Sequence, residues 1–380
     1  MLNPSDSLGS KVPNLRFPGF EGEWETKTLG EISQLITKGT TPKKFTNQGI
    51  KYIKIESFKE NSIDIEKCMF IDEITHNKEL KRSILREGDI LFAIAGATIG
   101  KTNIVTKAVL PANTNQALAI IRLNEKEVKS YIIQILKSAI MQKYIKESIS
   151  VGAQPNLNLE QINSFSFCYP NIEEQKKIAS FLSLINERII TQNKIIEELE
   201  QLIKGLCINL ILKKVPNTKL NQCVICNTSS LTESEVINQK GTHPVYGATG
   251  IISYTADYQI DKDAILIIKD GSGVGKVQYA TNKFSVIGTL NYLTIKSQVN
   301  LRYILYSLKF FNFEKYKVGS GIPHIYFKDY GEALIYCPSL AEQYKIEGLL
   351  SSIDKKIEIE KQNLNQLNLQ KQFLLKELII

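Results

Sequence analysis

A heptad pattern that occurs twice constrains this chain more than any other feature of its sequence. Apolar residues recur there at alternating steps of four and three, which is typical of a coiled-coil seam. The first seam consists of Ile178, Leu182, Ile185, Ile189, Ile196, Leu199, Ile203 and Leu206. The second, shifted by 168 residues, consists of Ile346, Leu350, Ile353, Ile357, Leu364, Leu367 and Leu374. The chain therefore carries two long helices that can pair with each other.

The two helices also begin alike. Asn171 is followed three residues later by Glu174, and Ser339 is followed in the same way by Glu342. Each pair matches a capping box, in which the first side chain caps the helix and the glutamate reaches back to the amide of the capping residue. We expect both halves of this box to form at both helices.

A polar residue interrupts each seam at the same place, Gln192 in the first copy and Glu360 in the second. A polar seam position commonly fixes the register of a coiled coil at some cost in stability. For either helix alone, ordinary packing in a core would be the favoured interpretation. Two copies with matched starts and matched interruptions favour an intramolecular, antiparallel pair.

The segments that precede the two helices correspond as well. A buried strand, a glycine-rich turn, a second strand and a helical stretch follow one another twice. They are Ile90–Ile94, Gly96–Thr102, Ala117–Ile121 and 127–148 in the first copy, and Asp263–Ile268, Gly271–Lys276, Tyr292–Ile295 and 301–317 in the second. We therefore predict an α+β fold built by tandem duplication with pseudo-twofold symmetry. Two similar mixed α/β domains are separated by two long helices that form an antiparallel coiled coil.

The predicted boundaries follow from these patterns. The chain divides into a loosely held N-terminal arm, a first domain, a first long helix, a second domain and a second long helix, at 1–19, 20–170, 171–215, 216–338 and 339–380. No apolar run approaches the roughly 18 residues of a membrane span, and the first residues lack the apolar core of a signal peptide. We expect a cytoplasmic protein without membrane contact.

The sequence offers no catalytic or metal-binding motif. Only three residues separate Gly96 from Gly100, whereas a phosphate-binding loop has four between its glycines, and Val277 replaces Thr102 in the repeat. The tetrapeptide of amino-methyltransferases, the G-x-S-x-G elbow and the H-E-x-x-H helix are missing. Cys223 and Cys226 form the one C-x-x-C pair, without a second pair or suitably spaced histidines. We expect no catalytic residue, metal or cofactor.

The distribution of charge indicates where nucleic acid would bind, although many soluble proteins carry a similar basic excess without binding an acidic partner. The net charge of +8 lies mainly in the two non-helical blocks, with 20 basic and 17 acidic residues in 20–170, and 12 basic and 9 acidic residues in 216–339. Polar and lysine-bearing turns next to strands are the candidate DNA contacts, although an ordinary solvated surface would have a similar composition. These candidates are Lys38, Thr40, Thr41, Lys43, Lys44, Thr98, Lys101 and Asn115, with Ser272, Lys276 and Asn291 in the repeat.

Several segments, in their order along the chain, resemble type I restriction-modification specificity subunits. They are Pro13–Trp24, Leu29–Ile32, the Gly-Ala-Thr-Ile-Gly-Lys turn 96–101, Gly152–Leu157 and Pro170–Ile178. The resemblance covers nearly the whole chain, and it departs where Pro323–Tyr326 replaces Pro155–Asn158. It implies two target recognition domains and two antiparallel helices, without catalytic residues. It also implies three partners: double-stranded DNA with a bipartite, asymmetric site, methyltransferase (modification) subunits, and translocating nuclease (restriction) subunits.

Two other functions remain open from the residues alone. A coiled-coil interaction scaffold would use the helices without touching DNA, and a nucleotide-dependent enzyme would use the glycine turns. Only 6 of the 47 basic residues are arginines, so we expect lysines to act mainly on phosphates rather than on bases.

Overall fold

The computed structural model describes residues 11–59, 62–149, 155–296, 298–319 and 321–380. The chain forms two compact units. Unit 1 comprises Met1–Ile190 and Asn365–Ile380, and unit 2 comprises Thr191–Leu364. Each unit therefore includes part of both long helices.

Over the described residues, the first copy contains nine strands, three short helices and the first long helix. The strands are β1 (Glu25–Thr28), β2 (Ser33–Lys38), β3 (Ile50–Ile53), β4 (Met69–Ile71), β5 (Ile90–Ala93), β6 (Thr102–Ile104), β7 (Ala112–Thr114), β8 (Leu118–Leu123) and β9 (Ser166–Tyr169). The helices are α1 (Lys129–Lys137), α2 (Ala139–Ser148), α3 (Leu159–Asn163) and the long α4 (Ile172–Cys207), which ends in a π-helical turn at Ile208–Leu212.

The second copy repeats this order of strands. Its strands are β10 (Thr218–Lys219), β11 (Val224–Thr228), β12 (His243–Gly247), β13 (Gly250–Thr255), β14 (Ala264–Ile268), β15 (Val277–Ala280), β16 (Ser285–Val286), β17 (Leu290–Ile295) and β18 (Leu334–Ile335). Its helices are α5 (Leu220–Cys223), α6 (Glu233–Val236), α7 (Leu301–Lys309), α8 (Phe327–Tyr330) and the long α9 (Leu340–Leu378).

The sheets have the same topology in both units. Unit 1 has a four-stranded antiparallel sheet in the order β2-β8-β5-β6, a three-stranded sheet β4-β3-β7, and the pair β1-β9. Unit 2 has the sheets β11-β17-β14-β15, β13-β12-β16 and β10-β18. Strands β5 and β14 are buried at every position, which explains why they read as continuous apolar runs rather than alternating ones. The predicted duplication of a mixed α/β domain is confirmed.

The two long helices run antiparallel. In unit 1 the start of α4, with Ile178 and Leu182, shares a core with Leu378 and Ile379 at the end of α9. In unit 2 the later part of α4 shares a core with the beginning of α9. Burial of the seam residues follows the heptad. Ile178, Leu182, Ile185, Ile189, Ile196, Ile203, Ile346, Leu350 and Ile357 are buried, and Leu199, Leu206, Ile353, Leu364, Leu367 and Leu374 are half-buried.

The two polar interruptions of the seams meet each other. Gln192 Nε2 donates to the Glu360 carbonyl oxygen at 3.2 Å and to its carboxylate at 2.5 Å. The Glu360 carboxylate also accepts from Lys356 one helical turn earlier. A polar pair at matched positions satisfies both side chains and fixes the register, because a shift of either helix would leave them unpaired.

Only one half of each predicted capping box is as expected. The amide of Glu174 donates to Asn171 Oδ1 at 2.9 Å, and the amide of Glu342 donates to Ser339 Oγ at 3.4 Å. The two carboxylates are directed elsewhere. Glu174 accepts from Arg16 Nε at 2.8 Å and Nη2 at 2.9 Å, and Glu342 accepts from a tyrosine hydroxyl. Charged and phenolic donors at these positions compete with the capping amides for the glutamates.

The N-terminal arm is anchored rather than loosely held, within its described part from Lys11 onward. Arg16 pairs with Glu174, the amide of Leu15 donates to the Glu377 carbonyl at 3.0 Å, and Phe17 packs edge-on against Phe181. All these contacts lie in unit 1 and hold the arm against α4 and α9.

Two predicted helical stretches are shorter than expected. The stretch 127–148 breaks at Ser138, whose extended backbone separates α1 from α2 and whose Oγ accepts from the Ile140 amide at 3.3 Å. The stretch 301–317 ends as a helix at Lys309 and resumes only as a short 3₁₀ turn at Phe313–Tyr316. Serine and asparagine favour caps over helix interiors because their side chains bond to nearby amides.

Candidate nucleic-acid interface

The glycine turn of unit 1 closes the end of a buried strand. The amide of Gly100 donates to the Ala93 carbonyl at 2.9 Å, and the amide of Ala93 donates to the Lys101 carbonyl at 2.8 Å. Gly100 has φ +89° and a Cβ there would lie 2.8 Å from Ile145 Cδ1, so the position requires glycine. The turn holds Thr98 half-buried and Lys101 exposed.

The register of the four-stranded sheet brings the sequence-predicted residues of unit 1 to one end of that sheet. Lys38 at the end of β2 is paired with Ala119, and Ala93 at the end of β5 is paired with Leu118 at the start of β8. Phe92 in β5 is paired with Thr102 at the start of β6. The basic loop after β2, the segment before β8 that contains Asn115, and the glycine turn therefore occupy neighbouring positions.

The loop after β2 is fixed by its backbone while its lysines remain exposed. The amide of Thr40 donates to Thr114 at 3.0 Å, and the Tyr52 hydroxyl donates to the Thr40 carbonyl at 2.9 Å. Burial raises the pKa of Tyr52 from 10 to about 12, so this hydroxyl stays a donor well above neutral pH. A Cβ on Gly39 would lie 2.2 Å from the Thr114 oxygen. The exposed candidates on this loop are Lys38, Thr41, Lys43 and Lys44.

Arg82 is a further residue at this loop that the sequence analysis did not single out. Its Nε donates to Thr40 Oγ1 at 3.0 Å, and the side chain is exposed. Arg122, in contrast, is engaged by the buried Asp89 through two bonds of 2.8 and 2.7 Å. A guanidinium is the group best suited to bidentate recognition of guanine or phosphate. Arg82 lies in a short 3₁₀ turn that has no sequence periodicity. In the sequence, only the small number of arginines could have drawn attention to it.

Unit 2 has the same turn at the corresponding end of its sheet. Ser272 and Lys276 are exposed on it, and Gly275 has φ +87° with Phe313 Cβ 2.7 Å from the position of an added Cβ. The candidate Asn291 is not part of this surface. It is 3% exposed, and its amide donates to the Tyr330 hydroxyl at 3.1 Å. Asn291 therefore has a structural role within the core, because strand β17 turns its side chain inward.

In each unit a proline-containing segment contacts the glycine turn, but a neighbouring side chain of this segment differs between the units. In unit 1 the amide of Gly96 donates to Pro155 at 2.9 Å, and in unit 2 the amide of Gly271 donates to Pro323 at 3.0 Å. The preceding residues of the resembling segment, Gly152 to Gln154, lie outside the described residues. His324 Nδ1 lies 2.7 Å from Asp270 Oδ1 in unit 2, which distinguishes its surface chemically from that of unit 1.

Over the described ranges, no group of three or more His, Cys, Asp or Glu side chains is placed to hold a metal ion. Cys223 instead lies beside Cys337, with their sulfur atoms 3.8 Å apart. The helices found in these ranges include none that is both long and apolar enough to cross a membrane.

Comparison with known proteins places the chain in one family. The family model described as "Type I restriction modification DNA specificity domain" matches residues 21–201 and 219–369. A relative from Methanocaldococcus jannaschii, which carries the name of the MjaX specificity subunit of a type I restriction enzyme, is 30% identical over 198 residues, 51% of this chain and 46% of the relative. The MjaVIII specificity subunit of the same organism is 26% identical over 204 residues, 52% of this chain and 48% of the relative. The chain thus matches about half the length of these relatives.

Solved structures agree with this fold. The chain is similar to the S subunit of a type I restriction-modification system from M. genitalium, with a TM-score of 0.64, 18% identity, and coverage of 97% of this chain and 99% of that chain. A second similar chain comes from a structure that describes assembly and conformational transition of a type I system, with a TM-score of 0.59 and 17% identity, covering 96% and 98% of the two chains. At these identities the likeness shows the fold.

Proposed function

The chain belongs to the type I restriction-modification DNA specificity family, and from this premise we propose that it recognises DNA sequence for a type I restriction-modification complex. It reads an asymmetric bipartite site and directs methyltransferase and restriction subunits to it in the cytoplasm. Residues 20–170 and 216–338 act as the target recognition domains. The chain is a non-catalytic component, so the methyl transfer and the DNA cleavage belong to its partners.

The observation that carries this proposal is the repeated arrangement at the end of the four-stranded sheet. In each unit a glycine turn presents a polar side chain and an exposed lysine, Thr98 with Lys101 and Ser272 with Lys276. Lysines on such turns suit phosphates, while neighbouring loop residues read bases. The two units share topology but differ in the side chains near the turns, which supports two half-sites of different sequence.

Partner subunits are proposed to bind the long helices. Large apolar side chains remain exposed on both: Leu184, Ile190, Ile195 and Leu202 on α4, and Leu349, Ile359, Leu369 and Phe373 on α9. Leu184, Ile195 and Leu202 are spaced by eleven and seven residues, which places them on one face of α4. An exposed apolar stripe on a polar helix is typical of a protein interface.

The direct test of recognition is methylation-sensitive sequencing of a host genome with and without this gene. The proposal predicts one bipartite motif that loses its methyl group when the gene is deleted. Unchanged methylation, together with retained binding of the chain to protein partners, would favour a coiled-coil scaffold without DNA binding.

Assembly is tested by co-purification with the methyltransferase subunit. Leu202→Glu should abolish it, because a carboxylate would have to be desolvated at the interface. Gln201→Glu is the matched control, since it introduces the same charge at the neighbouring exposed position. Equal recovery of both variants would contradict the assignment of this helix face to the partner.

A further inference from the structure

Unit 1 contains an open cavity of about 480 Å³ beside the glycine turn. Its wall is formed by the turn 97–102, by Phe58 and Gln142, and by four lysines from separate parts of unit 1: Lys59, Lys101, Lys137 and Lys371. We call it the four-lysine cavity. Among the described residues, no Asp or Glu lines it.

Four ammonium groups around one cavity repel one another unless an anion compensates them. Lys59 is partly compensated by Asp64, whose Oδ2 lies 3.3 Å from its Nζ, with the lysine side chain 60% exposed and the aspartate side chain 11% exposed. Among the ion pairs of the described residues, none involves Lys101 or Lys371. At Lys101 and Lys371 the cavity therefore has positive charge that no ion pair of the described residues neutralises.

The repeat shows that the fold does not require a charge at the position of Lys371. Lys371 occupies the seam position held in the first copy by Ile203, which is 4% exposed in the core of unit 2. The same position is thus apolar in unit 2. A lysine at a seam position of α9 needs another explanation than packing.

We propose that the four-lysine cavity binds a phosphate group. Its ammonium groups supply charge and donors from several directions, the Gln142 amide and Thr98 hydroxyl supply neutral hydrogen-bonding groups, and Phe58 and Ile99 supply apolar surface for the rest of a ligand. Phosphate could be supplied by the DNA backbone or by a small phosphorylated molecule. The first source rests on the proposed DNA-binding function, and the second is independent of it.

Binding of phosphate itself is tested without DNA. The full chain is titrated with inorganic phosphate at constant ionic strength, and its Tm and the heat of binding are measured. We expect a saturable rise in Tm with phosphate and none with chloride. The double variant Lys101→Met and Lys371→Met keeps the aliphatic stems and should lose this rise while keeping its circular dichroism spectrum. Lys143→Met is the matched control on α2, a 76% exposed side chain that does not line the cavity, and it should bind phosphate as the unaltered chain does.

DNA binding by the assembled complex then identifies the source. If the cavity holds a backbone phosphate, the double variant lowers the slope of log K against log salt by about one and weakens binding similarly on all sequences, because one phosphate contact accounts for about 0.9 of slope. If it holds a separate molecule, phosphate binding is lost while the DNA slope stays the same. Both results support the site. The absence of saturable phosphate binding to the unaltered chain, or equal phosphate binding by the unaltered chain and the double variant, would overturn it.

Discussion

At the scale of single residues, Glu360 shows how a polar side chain is accommodated in an apolar seam. Hydrogen bonds from Lys356 first, and then from Gln192 and Asn363, lower its pKa from 4.5 to about 2. Its carboxylate therefore remains charged and paired at neutral pH. The sequence alone identified the interruption, but its bonding partner depends on the antiparallel register of the two helices.

This lowered pKa predicts how stability depends on pH. A carboxyl group with a depressed folded-state pKa contributes stability above the unfolded pKa near 4.5 and loses that contribution as pH falls toward 2. We therefore expect Glu360→Gln to unfold more easily than the unaltered chain at pH 7, and the difference to shrink between pH 4.5 and 2. Urea unfolding at several pH values measures it. A difference that is constant with pH would show that the charge does not stabilise the pair.

A second residue-scale prediction concerns Cys337. The Cys223 thiol donates to its sulfur, which lowers the pKa of Cys337 to about 7, whereas burial raises the pKa of Cys226 to about 11. Because the thiolate is the nucleophile, Cys337 should react with iodoacetamide before Cys226 at pH 8. Peptide mass spectrometry follows both rates.

Cys223→Ala removes the donor and should slow the reaction of Cys337 by raising its pKa. If Cys226 reacts at least as fast as Cys337 in the unaltered chain, the thiol–thiol hydrogen bond does not control reactivity.

At the scale of elements, two adjacent leucines of α9 test the seam directly. Leu350 is fully buried, and Leu349 is 45% exposed. Leu350→Ala should lower the free energy of unfolding by about 2–5 kcal/mol, because it removes buried methyl groups and leaves a cavity. Leu349→Ala should change it by no more than about 0.5 kcal/mol. Chemical denaturation measures both free energies. Comparable effects of the two substitutions would mean that the buried face of α9 is not the face that the heptad predicts.

The sequence predicted the long helices, the central strands and the duplication because these depend on local periodicity. It did not predict the break at Ser138, because the helical periodicity of 127–148 continues through this residue and only the cap ends the helix. The three-stranded sheets were also missed in part. The parallel pairing of β3 with β7 joins residues about sixty positions apart, Lys51 with Ala112, and no local signal specifies that pairing.

The candidate site was partly predictable for the same reason. Glycine turns after buried strands marked Lys101 and Lys276, and the sheet register then brought the loop with Lys38 beside the first of them. Asn291 and Arg82 show the limit. Whether a side chain on or near a strand faces the core or solvent depends on packing partners, here Tyr330 for Asn291 and Thr40 for Arg82, that are distant in sequence.

At the scale of the whole molecule, the duplication predicts modular recognition. Each copy has its own four-stranded sheet and its own core. An exchanged domain should therefore leave the core of the other intact, provided that the junctions at Pro170 and Pro338 are kept. The proposed contacts to phosphates and partner subunits do not depend on base-reading side chains, so we expect assembly to survive the exchange.

The most direct test of modular recognition is methylation sequencing with a chimera in which residues 20–169 come from a relative of different specificity. Co-purification with the methyltransferase subunit first confirms that the chimera assembles. We predict a hybrid site, with one half taken from the donor of the exchanged domain and the other half unchanged. A chimera that assembles and methylates a site altered in both halves would contradict independent reading by the two domains.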